Sequence, residues 1–140
     1  MNEDHERLKV LIGIDPGVNT GLSVLNGGKL QIVESCSAVK AECFILKALE
    51  ECDIKLYIED ARLRTWYGAK GKEVLQGVGS VKRDCLRWQE FCEHHNIEFN
   101  MVHPKNNKTK LKAAEFKKIT GWSGKSNEHG RDSAMLVWGR

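Results

Sequence analysis

Leu8-Lys-Val-Leu-Ile-Gly-Ile-Asp15 is the stretch on which the fold turns. It is a nearly unbroken apolar run of strand length, as expected of a central strand covered on both faces rather than one with a wet side. Pro16-Gly17 and Asn19 mark a turn directly after it. Leu22–Leu25 and Leu30–Val33 then read as two more strands, joined at Asn26-Gly27-Gly28, a hairpin signal.

Further out the periodicity changes. Ser37 can cap a helix in which Val39, Cys43, Leu46 and Leu49 recur at helical spacing. Ile54–Asp60 is a fourth strand that ends, like the first, in carboxylates. Arg62–Gly71 has no periodicity and reads as a loop. From Lys72 to His95, Val74, Val78, Val81, Cys85, Trp88 and Cys92 follow one helical stripe. Ile97–His103 is a fifth strand, Pro104–Lys108 a polar loop, Thr109–Ile119 a basic helix, Gly121–Asn127 a loop and Glu128–Trp138 a last helix. These elements predict a three-layer α/β domain, a five-stranded mixed sheet flanked by helices, over residues 8–140, with 1–7 as a flexible tail.

The 140 residues suit one domain, and 41% hydrophobic residues is ordinary for a globular chain. No apolar run approaches the ~18 residues of a membrane helix. The polar, acidic start lacks the pattern of a secretory signal, so the expected location is the cytoplasm. Five cysteines, an odd count without a framework or a C-x-x-C pair, fit free thiols in a reducing compartment. Cys92, His94, His95 and His103 make a weak metal set, because Cys85 and Cys92 lie two helical turns apart on what reads as a buried face. Charge divides the chain: residues 1–60 hold 6 Lys/Arg against 11 Asp/Glu, and residues 101–131 hold 8 against 2. Such asymmetry fits a polyanion contacted from one side, or a solvated lysine-rich surface.

Three acids stand out by position. Asp15 closes the first strand, Glu59 and Asp60 close the fourth, and Asp132 lies on the last helix three residues after His129. Ligands of open α/β sheets gather beyond the carboxyl ends of strands, so Asp15 and Glu59 can face one crevice. Residues three apart on a helix share a face, which pairs His129 with Asp132. Carboxylates gathered in this way repel, and Mg²⁺ or Mn²⁺ is the usual remedy. Each also has a plainer reading: Asp15 as a turn residue, Glu59 or Asp60 as a salt-bridge partner, His129 as a helix-start residue. Gly121-Trp-Ser-Gly-Lys-Ser126 has two residues between its glycines where a phosphate-binding P-loop has four, and Gly77-Val-Gly79 lacks a third glycine. No nucleotide cofactor is expected.

Ile12-Gly-Ile-Asp-Pro-Gly-Val-Asn-Thr-Gly21, Tyr57-Ile-Glu-Asp60 and His129-Gly-Arg-Asp-Ser-Ala134 resemble the RuvC-type Holliday junction resolvases of the RNase H-like nuclease superfamily, and short phage-type members in particular. The D-P-G-x-x-x-T-G stretch is the most specific piece, and the order of elements extends the likeness along nearly the whole chain. The resemblance implies an RNase H-like fold with Asp15, Glu59, Asp132 and His129 as catalytic and metal-binding residues. His129 falls where the family carries His or Asp. The segment before the last helix departs from the family's G-x-G-x-A-x-K pattern, which leaves lysine roles there undefined.

The activity implied is that of a crossover junction endodeoxyribonuclease in DNA recombination or repair, working by two-metal phosphodiester hydrolysis with two Mg²⁺ (or Mn²⁺) ions per site. A less selective flap or fork nuclease and a non-catalytic DNA-binding module are the alternatives. A two-fold symmetric junction calls for a homodimer, which the resemblance places on the long helix. The expected DNA contacts are Arg62, Arg64, Trp66, Tyr67 and Lys70 after Glu59, and Lys105, Lys108, Lys110 and Lys118 near the basic helix. Trp66 and Tyr67 can wedge against bases at a branch point or form a small satellite core.

Overall fold

In the computed structural model of the chain, which describes residues 7–63 and 72–140 (for 72–78 the backbone alone), the Leu8–Asp15 run forms strand β1, Lys9–Asp15. It pairs antiparallel with β2, Thr20–Asn26, and parallel with β4, Asp53–Glu59. The hairpin partner of β2 is β3, Lys29–Cys36, and β4 pairs in parallel with β5, Glu98–Val102. The order β3-β2-β1-β4-β5 puts β1 at the centre of a mixed sheet, as its unbroken hydrophobicity predicts.

Strand alternation divides the core in two. Ile12 and Ile14 of β1, with Leu56 and Ile58 of β4, face helices α1 (Ala38–Leu49) and α2 (Lys72–His94), where Ala41, Ile45, Trp88 and Cys92 meet them. Burying an isoleucine of this kind contributes ~1.5–3 kcal/mol. Leu11 and Tyr57 point the other way, to Leu136 and Val137 of α4 (Glu128–Val137). Phe116 of α3 (Ala113–Thr120) packs with Leu111, Val33 and Ala134 on that second side. The fold is a three-layer α/β domain, as expected. Among the described residues no helix is long and apolar enough to cross a membrane.

Two sequence expectations need correction. Of the stripe Val39, Cys43, Leu46 and Leu49 of α1, the first two are exposed and the last two half-buried, with Leu49 packed at the edge of the core. The positions the sheet buries fully are Ala41 and Ile45. AVKAECFILKAL carries apolar residues on two faces, and the face with small alanines lets the helix sit closer to the strands. The basic helix also starts later than Thr109, because Lys110 adopts a left-handed backbone (φ 57°), which no helix continues through. The expected 1–7 tail falls mostly outside the described residues, but Arg7 itself is held, donating to the Leu49 carbonyl at 2.8 Å.

α4 rests on the sheet main chain against main chain. Its first turn is capped by Asn127, whose Oδ1 accepts the Gly130 N–H at 2.8 Å. A Cβ at Gly13 of β1 would overlap the Ser133 carbonyl oxygen, and one at Gly21 of β2 would overlap that of His129. Backbone cannot rotate out of the way, so Gly21→Ala should cost at least ~1–3 kcal/mol. At roughly 4 °C per kcal/mol for a chain of this size, thermal unfolding should show a fall of several degrees. Gly79→Ala, on a helix with open space around the new methyl, should melt at or above the wild-type temperature. A Gly21→Ala protein as stable as wild type would mean that α4 is not seated this tightly.

Candidate active site

The register of β1 and β4 pairs Ile14 with Ile58, so Asp15 and Glu59 are the next residues along two neighbouring parallel strands. Alternation turns both toward the α4 side, the side of Gly13 and Tyr57. α4 crosses there with His129 and Asp132 one turn apart, and the Nδ1 atom of His129 lies 3.5 Å from Asp15 Oδ2. The four residues singled out in the sequence therefore share one end of the sheet.

Asp60 belongs elsewhere. One residue past Glu59, it is buried on the opposite side and held by Arg62, whose Nε donates to Oδ1 at 2.8 Å and Nη2 to Oδ2 at 2.9 Å. Burial alone would raise the Asp60 pKa, but the guanidinium and main-chain N–H of Arg62 outweigh it and hold the carboxyl below its ordinary range. Arg62 also donates to Gln89 of α2 at 2.6 Å, and the Cys85 thiol donates to the Glu59 carbonyl at 3.7 Å. The guanidinium expected to meet phosphate is thus committed to tying the end of β4 to α2. Arg64, Trp66, Tyr67 and Lys70 lie outside the described residues. Lys105, Lys108, Lys110 and Lys118 are all exposed, the first three on the segment that borders the acids.

That segment carries two groups that sequence reasoning missed. Asn107 donates through Nδ2 to Glu59 Oε2 at 3.0 Å and to the Asp132 carbonyl at 3.1 Å. The Lys110 main-chain N–H donates to Asp132 Oδ1 at 2.8 Å. Its left-handed backbone, strained for a residue with a Cβ, is what aims that N–H at the carboxylate. Upstream, His103 caps the turn Pro104–Asn106 by accepting the Lys105 N–H at Nδ1. No periodicity marks Asn107 or Lys110, since one acts from a loop and the other through its backbone.

Like charges at this end have a measurable consequence. Burial first, then the charges of Glu59 and Asp132, push Asp15 up to about 7, against a smaller lowering from His129. Asp132 is raised as well, mainly by burial, with the Lys110 N–H opposing. Carboxylates and neutral oxygens are the donors that Mg²⁺ or Mn²⁺ prefers, with the His129 imidazole at their edge. Among the described residues no three His, Cys, Asp or Glu side chains close into a ready cage. Mg²⁺ does not require one, because it keeps waters and is bound through one or two carboxylates plus phosphate oxygens. The Oδ1 atom of Asn107, whose Nδ2 faces Glu59, is buried without a partner, an orphaned oxygen beside the acids. The residues fit a divalent ion.

For Asp15 the linkage has a definite sign. Its native pKa lies above the ordinary 3.8, so the folded chain holds this proton more tightly than the unfolded one. The stability it contributes is complete below about pH 4 and is lost as pH rises to about 7. Asp15→Asn removes the titration. In chelator-containing buffer the variant should gain on the wild type across that window and be the more stable protein at pH 8, read as Tm against pH. Parallel profiles with equal Tm at pH 8 would show that Asp15 is not strained by its neighbours.

No protein-family model matches the chain, and no curated protein matches it in sequence. Solved structures do. RuvC of Thermus thermophilus in complex with a Holliday junction substrate superposes with a TM-score of 0.58 at 18% identity, over 92% of this chain and 90% of that one. A second Thermus thermophilus RuvC structure gives 0.52 at 16% identity, over 91% and 90%. At such identity the likeness speaks for architecture. The chain has the RuvC fold, an RNase H-like three-layer sheet and helix arrangement, along nearly its whole length.

Proposed function

We propose that the chain is a metal-dependent endodeoxyribonuclease that nicks four-way DNA junctions in recombination or repair. The observation that supports this best is the gathering of Asp15, Glu59, Asp132 and His129 at the carboxyl ends of β1 and β4 in a chain of RuvC fold. Asp15, Glu59 and Asp132 would hold two Mg²⁺ (or Mn²⁺) ions, which lower the pKa of an attacking water and stabilise the departing 3′ oxygen. Asp15 feels the charge of both other acids, which makes it the carboxylate best placed to be shared. His129, half-exposed and anchored at Nδ1 by Asp15, can orient water or move a proton at its other ring nitrogen.

The remaining roles follow from charge. Lys105, Lys108, Lys110 and Lys118 hold the phosphate backbone, which confers affinity but no sequence preference. Arg64, Trp66, Tyr67 and Lys70 are assigned to the branch point on composition, with Arg62 anchoring the chain just before them. Paired nicks need two sites, and the exposed Val81 and Leu86 of α2 suit a helix-mediated homodimer. The site is expected to work in the cytoplasm.

Asp15→Asn, Glu59→Gln and Asp132→Asn should each lower Mg²⁺-dependent nicking of a four-way junction by at least ~100-fold while junction binding persists. His129→Ala should be slow rather than dead. Near-wild-type cutting by any carboxylate variant would remove that residue from the site. Equal cutting of flap and junction would replace the proposal with a less selective branched-DNA nuclease, and binding without cutting by wild type would leave a DNA-binding module. Neutralising Lys105, Lys108, Lys110 or Lys118 singly should lower the slope of log K against log salt by ~0.9 each. An unchanged slope across the series would return those lysines to a solvated surface.

A further inference from the structure

Asn107 is a neutral side chain that touches both halves of the acidic site. Its Nδ2 sits between a carboxylate oxygen delivered by β4 and a main-chain oxygen delivered by α4, 3.0 and 3.1 Å away. Its other end is anomalous: Oδ1 is buried and accepts no hydrogen bond. A buried amide oxygen without a donor forfeits its hydration with nothing in return, and native structures hold few of them. The carboxamide is planar, with oxygen and nitrogen ends of nearly the same size, so the two ends exchange by rotation about one side-chain bond. The backbone on either side is fixed, upstream by the His103 cap and downstream by the Lys110 N–H on Asp132.

We propose that Asn107 is a cation-responsive ligand of this site: its amide ties Glu59 to α4 through Nδ2 and, turned over, presents Oδ1 with Glu59 Oε2 and the Asp132 carbonyl oxygen to a divalent ion. The inference rests on reading the acidic cluster as a divalent-cation site. Without a cation the turned amide would set three oxygens against one another, and the donating orientation is preferred. With a cation the same three oxygens form a hard donor set, and Oδ1 acquires a partner in exchange for the two acceptors that Nδ2 gives up. Amide oxygen also brings no charge to a place where carboxylates already repel. The loop after β5, which looks like plain connection in the sequence, would thereby set how tightly the site grips its metal.

The test separates an oxygen from a donor. Asn107→Asp keeps an oxygen and loses the N–H groups; Asn107→Leu keeps the shape and loses both. Asn106→Asp adds the same charge at the exposed neighbouring residue, away from the contact. Mn²⁺ affinity of each folded variant is measured by titration calorimetry at pH 8, with circular dichroism confirming the fold. Asn107→Leu should weaken Mn²⁺ binding by about 10-fold or more, the range found when groups around a metal are lost. Asn107→Asp should bind as tightly as wild type or tighter, and Asn106→Asp should leave the affinity within about 2-fold, as expected of an exposed and screened charge. If Asn107→Asp weakens binding as much as Asn107→Leu, the amide is a donor tie only and the proposal fails. It fails too if Asn107→Leu binds like wild type, or if Asn106→Asp tightens binding as much as Asn107→Asp. A wild-type protein with no saturable Mn²⁺ binding would overturn the cation site itself, an outcome distinct from these.

Discussion

The contact of α4 with β1 and β2, backbone on backbone at Gly13 and Gly21, is the constraint on which the rest depends. Helices usually stand off a sheet by the thickness of interleaved side chains, about 10 Å between layers. Here two strand positions without side chains admit the carbonyls of Ser133 and His129 directly. That approach, more than any polar bond, carries His129 and Asp132 down to Asp15. The anchoring hydrophobic groups, Leu136 and Val137, lie one to two turns further along the same helix. Packing at one end of α4 therefore fixes chemistry at the other.

The arrangement opposes its own electrostatics. Burial, with Glu59 and Asp132 brought within reach, raises the Asp15 pKa to about 7, an energetic penalty in a folded chain at neutral pH. Neutral donors soften it: the Asn107 amide on Glu59 and the Lys110 N–H on Asp132. Asp60 shows the contrast. One residue away on the other side of β4, it meets a guanidinium in a bidentate grip and is stabilised as an anion. Two adjacent carboxylates thus have opposite fates, the first strained and available, the second satisfied and structural. Strain of this kind is what a functional site retains and the surrounding core offsets.

Much of this was legible beforehand, for physical reasons that differ from residue to residue. An apolar run such as Leu8–Asp15 reads as central, and carboxylates closing two strands mark a shared crevice. That Glu59 rather than Asp60 faces Asp15 depends on the β1–β4 register, which only the folded sheet records. His129 and Asp132 were readable because helical spacing is rigid. α1 was misread because both its faces are apolar, and the choice between them belongs to the packing of Ala41 under the sheet, which no single helix records. Thr109–Lys112 looked helical by composition, yet the Asp132 carboxylate draws the Lys110 backbone into a left-handed turn. Asn107 left no trace at all, since a loop side chain that acts by reaching across 48 residues to Glu59 has no local pattern.

The central claim is that the carboxyl end of β1 and β4 under α4 is a divalent-cation site, and anomalous diffraction from crystals soaked in Mn²⁺ tests it most directly. The account predicts manganese peaks within ligand distance of Asp15, Glu59 and Asp132, and their loss in Asp15→Asn crystals. Manganese bound elsewhere, or no peak at a concentration that supports DNA cutting, would contradict it.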